Sequence, residues 1–557
     1  MKNSIKLLTA VLFIGLPCSV AYGVDHSPPD AGRISGGIND FKILPPDKNG
    51  VDLDIQQKSA EVTEGGQSIQ VDRFRITGET VVSEQELQQV LTTFIGRELN
   101  LGQLQQAANK VADYLRKKGY LVAVTYLPEQ EVTNGAVEIK VLIGRYGNIR
   151  LENYSRIKDG ILKNLIGDIK PGDVIEKEKL ERTLLILNDV SGVQSQSILT
   201  AGQSQGSTDL IVRLFDTQAS TVMIGVDNSG NRFTGQERAN LSIFFNNASG
   251  YGDEITLRGI SSGKNLNDFS FSYQLPIGKD GYKAGLKYER LHYRLGEDFA
   301  FLDASGRVTT KEVFISYPLQ RSSNTDLNIR FAYARKSIVD MYYDGAYSEP
   351  KHSSTYTLSM NGRSQYQGNH PSRTNYSVAI TRGKLGIENA GVADYDRLTA
   401  KIQGHFWKLA SAFSKEQYLT KSWHGHLFVN TQLANKNLDS SEDFSLGGMN
   451  GIRAYPQGEA SGDQGYLVTA ELRRDLAGPQ RQLVLFVDQG GVVINKRPWV
   501  GSGENYRALA GAGLGLIFTN QRDYSLRIDY AWKLSSEKAR SDKDKNGRFW
   551  LQGVMKL

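Results

Sequence analysis

Residues 446–456 read Leu-Gly-Gly-Met-Asn-Gly-Ile-Arg-Ala-Tyr-Pro, a glycine-rich turn that carries one arginine beside a tyrosine. A later segment, residues 486–490, reads Phe-Val-Asp-Gln-Gly, where one aspartate interrupts an apolar alternation typical of a strand. A charged side chain in otherwise barrel-like sequence costs free energy unless it meets an opposite charge. We therefore expect Arg453 and Asp488 to form an internal ion pair. The alternative is that both are ordinary charges of a water-filled lumen.

The chain around these segments, residues 217–557, lacks helical periodicity and has the weak signature of a transmembrane β-barrel. It consists of segments of about ten residues with alternating hydrophobicity, separated by turn residues. In residues 466–473, apolar positions that would face lipid alternate with Thr469, Glu471 and Arg473. A polar inner face of this kind predicts a water-filled barrel, because the inner faces of a soluble β-sandwich form an apolar core.

Two similar units precede the barrel, at residues 71–146 and 147–216. Each predicts the element order β-α-α-β-β, which indicates a duplicated module. Residues 101–118 illustrate the pattern, since their apolar positions are spaced for one buried helix face and a glycine follows as a stop. A small sheet with an open edge can accept a guest strand through backbone hydrogen bonds. Two small domains without a guest fit the same pattern, so both alternatives stay open.

The N-terminus is typical of a secretory signal peptide over residues 1–23, with early lysines, an apolar core and a small-residue cleavage site. The only cysteine, Cys18, lies inside this segment, so we expect no disulfide in the mature protein. Residues 24–70 are rich in Gly, Pro, Asp and Ser, which is typical of a linker, with one short helix predicted around residues 30–43. A disordered leader is the alternative.

Composition and motifs argue against several classes of function. The 66 basic and 60 acidic residues give a net charge of +6 that is dispersed along the chain, so no nucleic-acid partner is expected. Residues 202–206 match Gly-x-Ser-x-Gly but join two predicted strands, whereas a nucleophile elbow joins a strand to a helix. His424 and His426 share a strand face without further ligands. We therefore expect no catalytic residue, no cofactor and no metal site.

Together these features resemble the two-partner-secretion transporters (TpsB proteins, the haemolysin secretion/activation type). In that family an inward-folded loop bears a Val-Arg-Gly-Tyr-like tip, and a later strand bears a Phe-x-Asp-x-Gly motif. The resemblance implies a mainly β fold, in which two α/β POTRA domains (71–146 and 147–216) precede a 16-stranded transmembrane β-barrel (217–557). It also implies that residues 24–70 supply a plug helix and a linker.

The resemblance assigns site residues to both motifs. The loop from about Leu438 to Gly465 is expected to fold into the lumen. The tip motif comprises Gly447, Gly448, Ile452, Arg453, Ala454 and Tyr455, and the strand partner motif comprises Phe486, Asp488 and Gly490. The family commonly has glycine at the third tip position, where this chain has Ala454.

The function implied by the resemblance is that of an outer-membrane pore with its POTRA domains in the periplasm. Such a pore exports one large partner protein, of the haemolysin or adhesin type and β-helical, recognised through its N-terminal secretion domain. The barrel would contact outer-membrane lipid and be inserted by the barrel assembly machinery. The alternatives are an outer-membrane assembly factor similar to BamA or TamA and a diffusion porin. The identity of the cargo stays open.

Overall fold

The computed structural model describes residues 28–36, 38, 52–55, 67–78, 81–204, 206–476, 478–520 and 523–557. The predicted signal peptide (1–23) and most of the predicted linker lie outside the described residues. Within the described ranges, no helix combines the length and the apolar character needed to cross a membrane.

Two α/β units and a short helix make up the N-terminal part of the described chain. Its elements are α1 (Ala31–Gly36), β1 (Asp52–Ile55), β2 (Ile69–Val71), β3 (Arg73–Gly78), α2 (Glu84–Leu91), β4 (Arg97–Leu99), α3 (Leu101–Lys117), β5 (Val124–Tyr126), β6 (Ala136–Leu142), β7 (Arg145–Tyr154), α4 (Asp159–Ile166), α5 (Lys177–Asn188), β8 (Val193–Ala201) and β9 (Ser207–Asp216).

The first unit packs α2 and α3 on a three-stranded sheet of order β3-β6-β5, while β2 and β4 form a separate ribbon. The helix α2 begins where the Ser83 side chain accepts a hydrogen bond from the Glu86 amide, as the capping pattern predicts. The turn before β6 places Asn134 and Gly135 at φ of 53° and 63°. These left-handed positions favour Asn and Gly, which explains the turn between β5 and β6.

The second unit repeats the order β-α-α-β-β, but its sheet has four strands in the order β1-β8-β9-β7. The additional strand β1 comes from the linker-like region and pairs in parallel with β8, with Asp52 opposite Gln196. The sequence predicted a single short helix for this region and missed the strand, because four residues carry too little alternation to be recognised.

The remainder of the described chain forms a closed barrel of 16 strands in which all neighbours are antiparallel, and β10 closes it against β27. The predicted fold class is therefore confirmed. The elements are β10 (Ser220–Asp227), β11 (Arg238–Asn246), β12 (Glu254–Ser261), β13 (Leu266–Pro276), β14 (Lys283–Arg294), β15 (Ser305–Arg321), β16 (Thr325–Tyr342), β17 (Tyr347–Tyr366), β18 (Ser372–Ile387), α6 (Ala390–Leu398), β19 (Gly404–Tyr418), β20 (Trp423–Ala434), β21 (Phe444–Ser445), β22 (Ser461–Gly462), β23 (Gln464–Asp475), β24 (Arg481–Val493), β25 (Tyr506–Thr519), β26 (Tyr524–Lys533) and β27 (Gly547–Lys556), where β21 and β22 lie in a loop and not in the wall.

Side chains alternate across the barrel wall as the sequence predicts. On β23, Thr469 and Glu471 are buried on the lumen side, whereas Ala470 and Leu472 are exposed on the outer face. An apolar outer face and a polar inner face are what a barrel needs when lipid surrounds it and water fills it.

The second unit is fixed to one end of the barrel. Asp189, which follows α5, accepts two hydrogen bonds of 2.7 and 3.1 Å from the Arg321 guanidinium at the end of β15. Arg182 donates to the Pro318 carbonyl at 2.9 Å, and Lys283 donates to the Asp189 carbonyl at 2.8 Å. The Arg321 side chain is only 4% exposed, so breaking its pair with Asp189 would leave a buried, unpaired charge. The cost of doing so holds the second unit against the barrel.

The helix α1 lies inside the barrel against the lumen faces of β14, β15 and β16. Ala31 and Ile34 are buried in a cluster that includes Leu291 and Ile338. The Ala31 amide donates to the Asp340 carboxylate at 2.8 Å. The described helix ends at Gly36, and residues 37 and 39–43 of the predicted segment 30–43 lie outside the described residues.

Candidate functional site

The connection between β20 and β23, residues 435–463, folds into the lumen; we call it the inner loop. Its two halves are joined by the pairing of β21 with β22, where Phe444 lies opposite Gly462 and Ser445 opposite Ser461. The sequence placed this loop between about Leu438 and Gly465, whereas β20 ends at Ala434 and β23 begins at Gln464.

The tip of the inner loop is a compact turn. Gly448 has a φ of 109°, which favours glycine, and the Ile452 amide donates to the Leu446 carbonyl at 2.7 Å. The Gly448 amide in turn donates to the Tyr455 carbonyl at 3.2 Å, and Gly447 forms a bridge with Ile452. This backbone network fixes the direction in which the next side chain, Arg453, points.

Arg453 contacts Asp488, the aspartate in the middle of β24. The backbone amide and Nε of Arg453 donate to Asp488 Oδ2 at 3.1 and 2.9 Å, and Nη2 donates to Oδ1 at 2.7 Å. Thr469 donates a further hydrogen bond to Oδ1 at 3.0 Å. Both charged residues are buried, at 3% and 0% exposure, so the two motifs that the sequence singled out meet in one fully desolvated pair.

Two further acids complete the surroundings of Arg453. Its Nη1 donates to Glu471 at 2.8 Å and to Asp529 at 3.0 Å. Arg527 bridges the same two carboxylates at 2.7 and 2.9 Å, and Arg473 donates to Glu471 at 2.6 and 2.9 Å. Three arginines therefore balance three carboxylates once Asp488 is included. We call these six residues the ion cluster.

Aromatic side chains enclose the tip arginine. The Arg453 guanidinium lies 3.3 Å from the ring centroid of Phe486, within cation–π distance, and Trp550 Nε1 donates to the Arg453 carbonyl at 2.7 Å. Burial by itself lowers the pKa of Arg453, but the hydrogen bonds and the charge of Asp488 outweigh it and raise the pKa above its ordinary value. Arg453 is therefore a permanent cation that the wall holds by charge, hydrogen bonds and ring contact.

The family described as haemolysin secretion/activation protein ShlB/FhaC/HecB matches residues 206–518, and the ShlB-type POTRA domain matches residues 69–144. The chain belongs to the haemolysin secretion/activation family. It is an outer-membrane pore that exports a partner protein, and its POTRA domains lie in the periplasm.

Individual relatives agree with this assignment. The chain is similar to the heme/hemopexin transporter protein HuxB of Haemophilus influenzae, with 29% identity over 94% of both chains for one strain. For another strain the identity is 30%, over 84% of this chain and 83% of the relative. Among solved structures, CdiB from Escherichia coli has a similar fold, with a TM-score of 0.68 at 19% identity over 90% of this chain and 93% of that chain.

In this member of the haemolysin secretion/activation family, glycines of the wall let the inner loop approach closely. A Cβ atom at Gly490 would lie 2.6 Å from Leu446 Cδ2 and 3.3 Å from Ile452 Cδ1. At Gly511, a Cβ atom would overlap the Ala454 side chain. Ala454 itself has a negative φ, so its backbone does not require the glycine that the family commonly has there.

A second set of contacts joins the inner loop to the extracellular loop between β26 and β27. The Tyr455 hydroxyl lies 2.8 Å from Ser535 Oγ and donates to the Glu537 carbonyl at 2.8 Å. The buried Glu459 carboxylate accepts hydrogen bonds from Arg507 of β25 at 2.5 Å and from the Arg540 amide at 2.9 and 3.0 Å. Tyr455 and Glu459 therefore hold the tip from the extracellular side.

The base of the inner loop contacts the opposite side of the lumen. Glu442 pairs with Lys336 at 3.0 Å and with Lys408 at 2.8 Å, and Asp439 pairs with Lys351 at 2.8 Å. Burial favours a higher pKa for Glu442, but the two lysines outweigh it and lower the pKa to about 2. The Glu442 carboxylate is thus ionised and paired with both lysines at physiological pH.

The structure adds partners that the motifs did not indicate. Glu471 was identified only as lumen-facing, and Asp529, Trp550 and Glu459 were not singled out. The signal in the sequence was weak, because a polar residue at every second position is the ordinary pattern of a barrel lumen. Among the described residues, no group of His, Cys, Asp and Glu has the arrangement of a metal site.

Proposed function

We propose that the ion cluster locks the inner loop inside the pore at rest, and that the loop moves when the partner protein passes through the lumen. The observation that supports this proposal is the burial of Arg453 among three carboxylates with its charge fully balanced. A buried pair of this kind has two distinct states, made or broken, because removing one partner leaves an uncompensated charge.

The same proposal divides the chain into a signal peptide (1–23), a plug helix with linker (24–70), two POTRA domains (71–146 and 147–216) and the barrel (217–557). In this scheme α1 is the plug. Its place against β14–β16 supports that role, since a helix in the lumen reduces the free cross-section.

The partner is a large secreted protein that the POTRA domains capture in the periplasm through its N-terminal secretion domain. The open edge at β5 of the first unit supports this step, because an edge strand can pair with an extended guest. The greater similarity to heme/hemopexin transporters than to CdiB favours a cargo that handles haem or haemopexin. This chain performs no catalysis in the scheme, and folding of a β-helical cargo outside the cell supplies the direction of transport.

The test is a gene deletion in the native host, complemented by wild type, Arg453→Ala or Arg330→Ala. Arg330 is a matched control, because it also faces the lumen, pairs with Glu312 at 2.6 Å and lies 4.0 Å from the Phe314 ring, but does not contact the inner loop. Proteomes of the culture medium and of the outer membrane are compared.

We expect the deletion to remove one large protein from the medium or cell surface. Wild type and Arg330→Ala should restore it to the same level, whereas export through Arg453→Ala should differ from wild type by roughly tenfold or more, because the free energy of moving the loop has changed. Depletion of many outer-membrane barrels in the deletion strain would instead indicate an assembly factor. Equal export by the two arginine variants would contradict the lock. A lost cargo without affinity for haem or haemopexin would contradict only the cargo class.

A further inference from the structure

The outer face of one half of the barrel carries an unusual concentration of exposed cations. They lie on β14, β15, β16 and β18, towards the extracellular ends of these strands. The six residues are Arg290, Arg307, Lys311, Arg335, Arg382 and Lys384, and all of them are exposed. Their neighbours in sequence point into the lumen, so the cations belong to the face that contacts lipid and headgroups.

The strand register brings several of these cations side by side. Lys311 of β15 lies directly opposite Arg335 of β16, and Ser354 of β17 separates Arg335 from Lys384 of β18. Adjacent strands are about 4.8 Å apart, so the three cations span roughly 15 Å. Like charges directly opposite each other destabilise a sheet, so this arrangement calls for an anion from outside the chain.

Within the described strands β14–β19, no carboxylate pairs with these six cations. Strands β14–β19 are described in full, and none of their acidic residues points outwards. The acidic residue that follows β18, Glu388, lies 3.4 Å from His352 and not against one of the six cations. Lumen-facing cations of the same strands behave differently, since Arg330 pairs with Glu312 and Lys336 with Glu442. The unpaired state is therefore a property of the outer face and not of the strands.

The height of the cations matches the headgroup region of the outer leaflet. Lys311 lies ten residues before Arg321, which marks the periplasmic end of β15. That distance is ~33 Å along the strand, or roughly 25 Å of height at the usual strand tilt, about the thickness of the apolar band of such barrels. Just below Lys311 and Arg335, the rings of Tyr333 and Tyr356 stand 5.0 Å apart, as in the aromatic girdle that borders this band.

The other half of the barrel lacks this feature. On β25, β26 and β27 the outward positions near the extracellular end are Ala508, Trp532 and Phe549, and none of the outward positions of these strands that the structure describes carries a cation. The cations therefore form a one-sided patch and not a ring that every strand shares.

We propose that this patch binds the phosphorylated headgroup of the outer-leaflet glycolipid, lipopolysaccharide, with Lys311, Arg335 and Lys384 at its centre. The charge of the patch complements phosphate, and its lower border is continuous with the apolar belt against which acyl chains pack. Arg382 extends the patch to the membrane interface, where its guanidinium lies 5.5 Å from the Trp407 ring.

The test measures lipopolysaccharide binding to the purified full-length protein in detergent by native mass spectrometry. The variant Lys311→Gln/Arg335→Gln removes two cations of the patch. The matched control is Lys415→Gln/Arg474→Gln, which removes two exposed outward cations at the periplasmic end. Heat-modifiable mobility on gels confirms that each variant is a folded barrel. Dephosphorylated lipopolysaccharide and inorganic diphosphate are the comparison ligands.

We expect the patch variant to bind lipopolysaccharide roughly 30-fold more weakly, at about fivefold for each cation, and the control to match wild type. Dephosphorylated lipopolysaccharide should bind weakly to all three proteins. Equal binding by the patch variant and the control would overturn the proposal. Equally tight binding of dephosphorylated lipopolysaccharide would overturn it as well. If inorganic diphosphate displaced the lipid fully at equal concentration, the site would be one for a soluble anion.

Discussion

The two sides of the lumen hold the inner loop and the helix α1 by contacts of different kinds. On the side of β23–β26, the six-residue ion cluster fixes Arg453, and Asp488 and Asp529 are completely buried there. On the side of β14–β16, α1 spans only six residues and is held by apolar packing, by a hydrogen bond from the Ala31 amide to Asp340 and by the hydrogen bonds that Ser440 of the inner loop donates to Asp30.

This difference indicates that the closed pore has a strong element and a weak one. A buried charge that loses its partner costs several kcal/mol, whereas each hydrogen bond of α1 contributes about 1 kcal/mol and the burial of Ile34 about 1.5–3 kcal/mol, and departure of α1 breaks no pair of the ion cluster. We therefore expect α1 to leave the lumen at a much lower cost than the inner-loop tip. The order of events during export would then be release of the helix first and of the loop second.

The largest effect is expected from Arg453→Ala, which leaves three buried carboxylates with only two arginines. We expect the docked loop to lose about 3–5 kcal/mol relative to the released loop. The measurement is the rate of maleimide labelling at Met449→Cys in a Cys18→Ser background, where the introduced thiol is the only one in the chain. Met449 is 6% exposed in the docked loop, so labelling reports release.

The matched control for this measurement is Arg330→Ala, which removes a paired lumen arginine without touching the loop. It should leave the labelling rate unchanged, while Arg453→Ala should raise it a hundredfold or more at the expected cost. Similar rates in the two variants would mean that the ion cluster does not hold the loop.

The second-largest effect is expected from Glu471, and it measures how much this one carboxylate of the ion cluster contributes to holding the loop. Glu471→Gln removes the carboxylate that Arg453, Arg473 and Arg527 share, and we expect release of the loop to become easier by about 2–3 kcal/mol. A double-mutant cycle with Arg453→Ala should be strongly non-additive, because both substitutions act on one network. If the free-energy changes derived from the labelling rates were additive, Glu471 would stabilise the barrel wall without contributing to the hold on Arg453.

Two residues of this site could be predicted from the sequence, because each interrupts a local pattern. Arg453 and Asp488 each interrupt a local pattern, the first as a lone charge in a glycine-rich turn and the second as a charge in an apolar alternation. Glu471 and Asp529 interrupt nothing, since lumen positions are polar throughout. Which lumen acids reach Arg453 depends on the strand register, and one sequence with weak alternation does not determine it.

The fold, too, was predictable where the local sequence pattern is strong. The predicted helices and strands of the two α/β units are present because their periodicity and caps are strong, as at Ser83 and along Leu101–Lys117. The barrel strands range from the eight residues of β10 to the twenty of β17, although the sequence suggested about ten for each. The long strands extend beyond the apolar band, where Arg335 and Lys384 replace the apolar residues that the alternation requires.

A smaller effect tests how closely the loop tip packs on the wall. A Cβ atom from Gly490→Val would overlap Leu446 of the loop and the Tyr466 carbonyl of the neighbouring strand, each at 2.6 Å, and we expect docking to weaken by about 1–3 kcal/mol. Gly425→Val is the control, because a Cβ atom at Gly425 of β20 would meet nothing within 4 Å. Labelling at Met449→Cys should rise for the first variant only, and an equal rise in both would point to damage to the barrel.

The smallest effect should come from weakening the contacts of α1, the weak element. Ser440→Ala removes the hydroxyl that donates to the Asp30 carboxylate at 2.7 and 2.8 Å, and we expect α1 to be released more easily by about 1 kcal/mol. The neighbouring Ser441→Ala is the control, because the buried Ser441 hydroxyl has no hydrogen-bond partner. In planar bilayers, Ser440→Ala should open more often than Ser441→Ala, while labelling at Met449→Cys stays at the wild-type rate in both. If Ser440→Ala raised labelling as much as conductance, the helix and the loop tip would be released together, and the division into a weak and a strong element would be wrong.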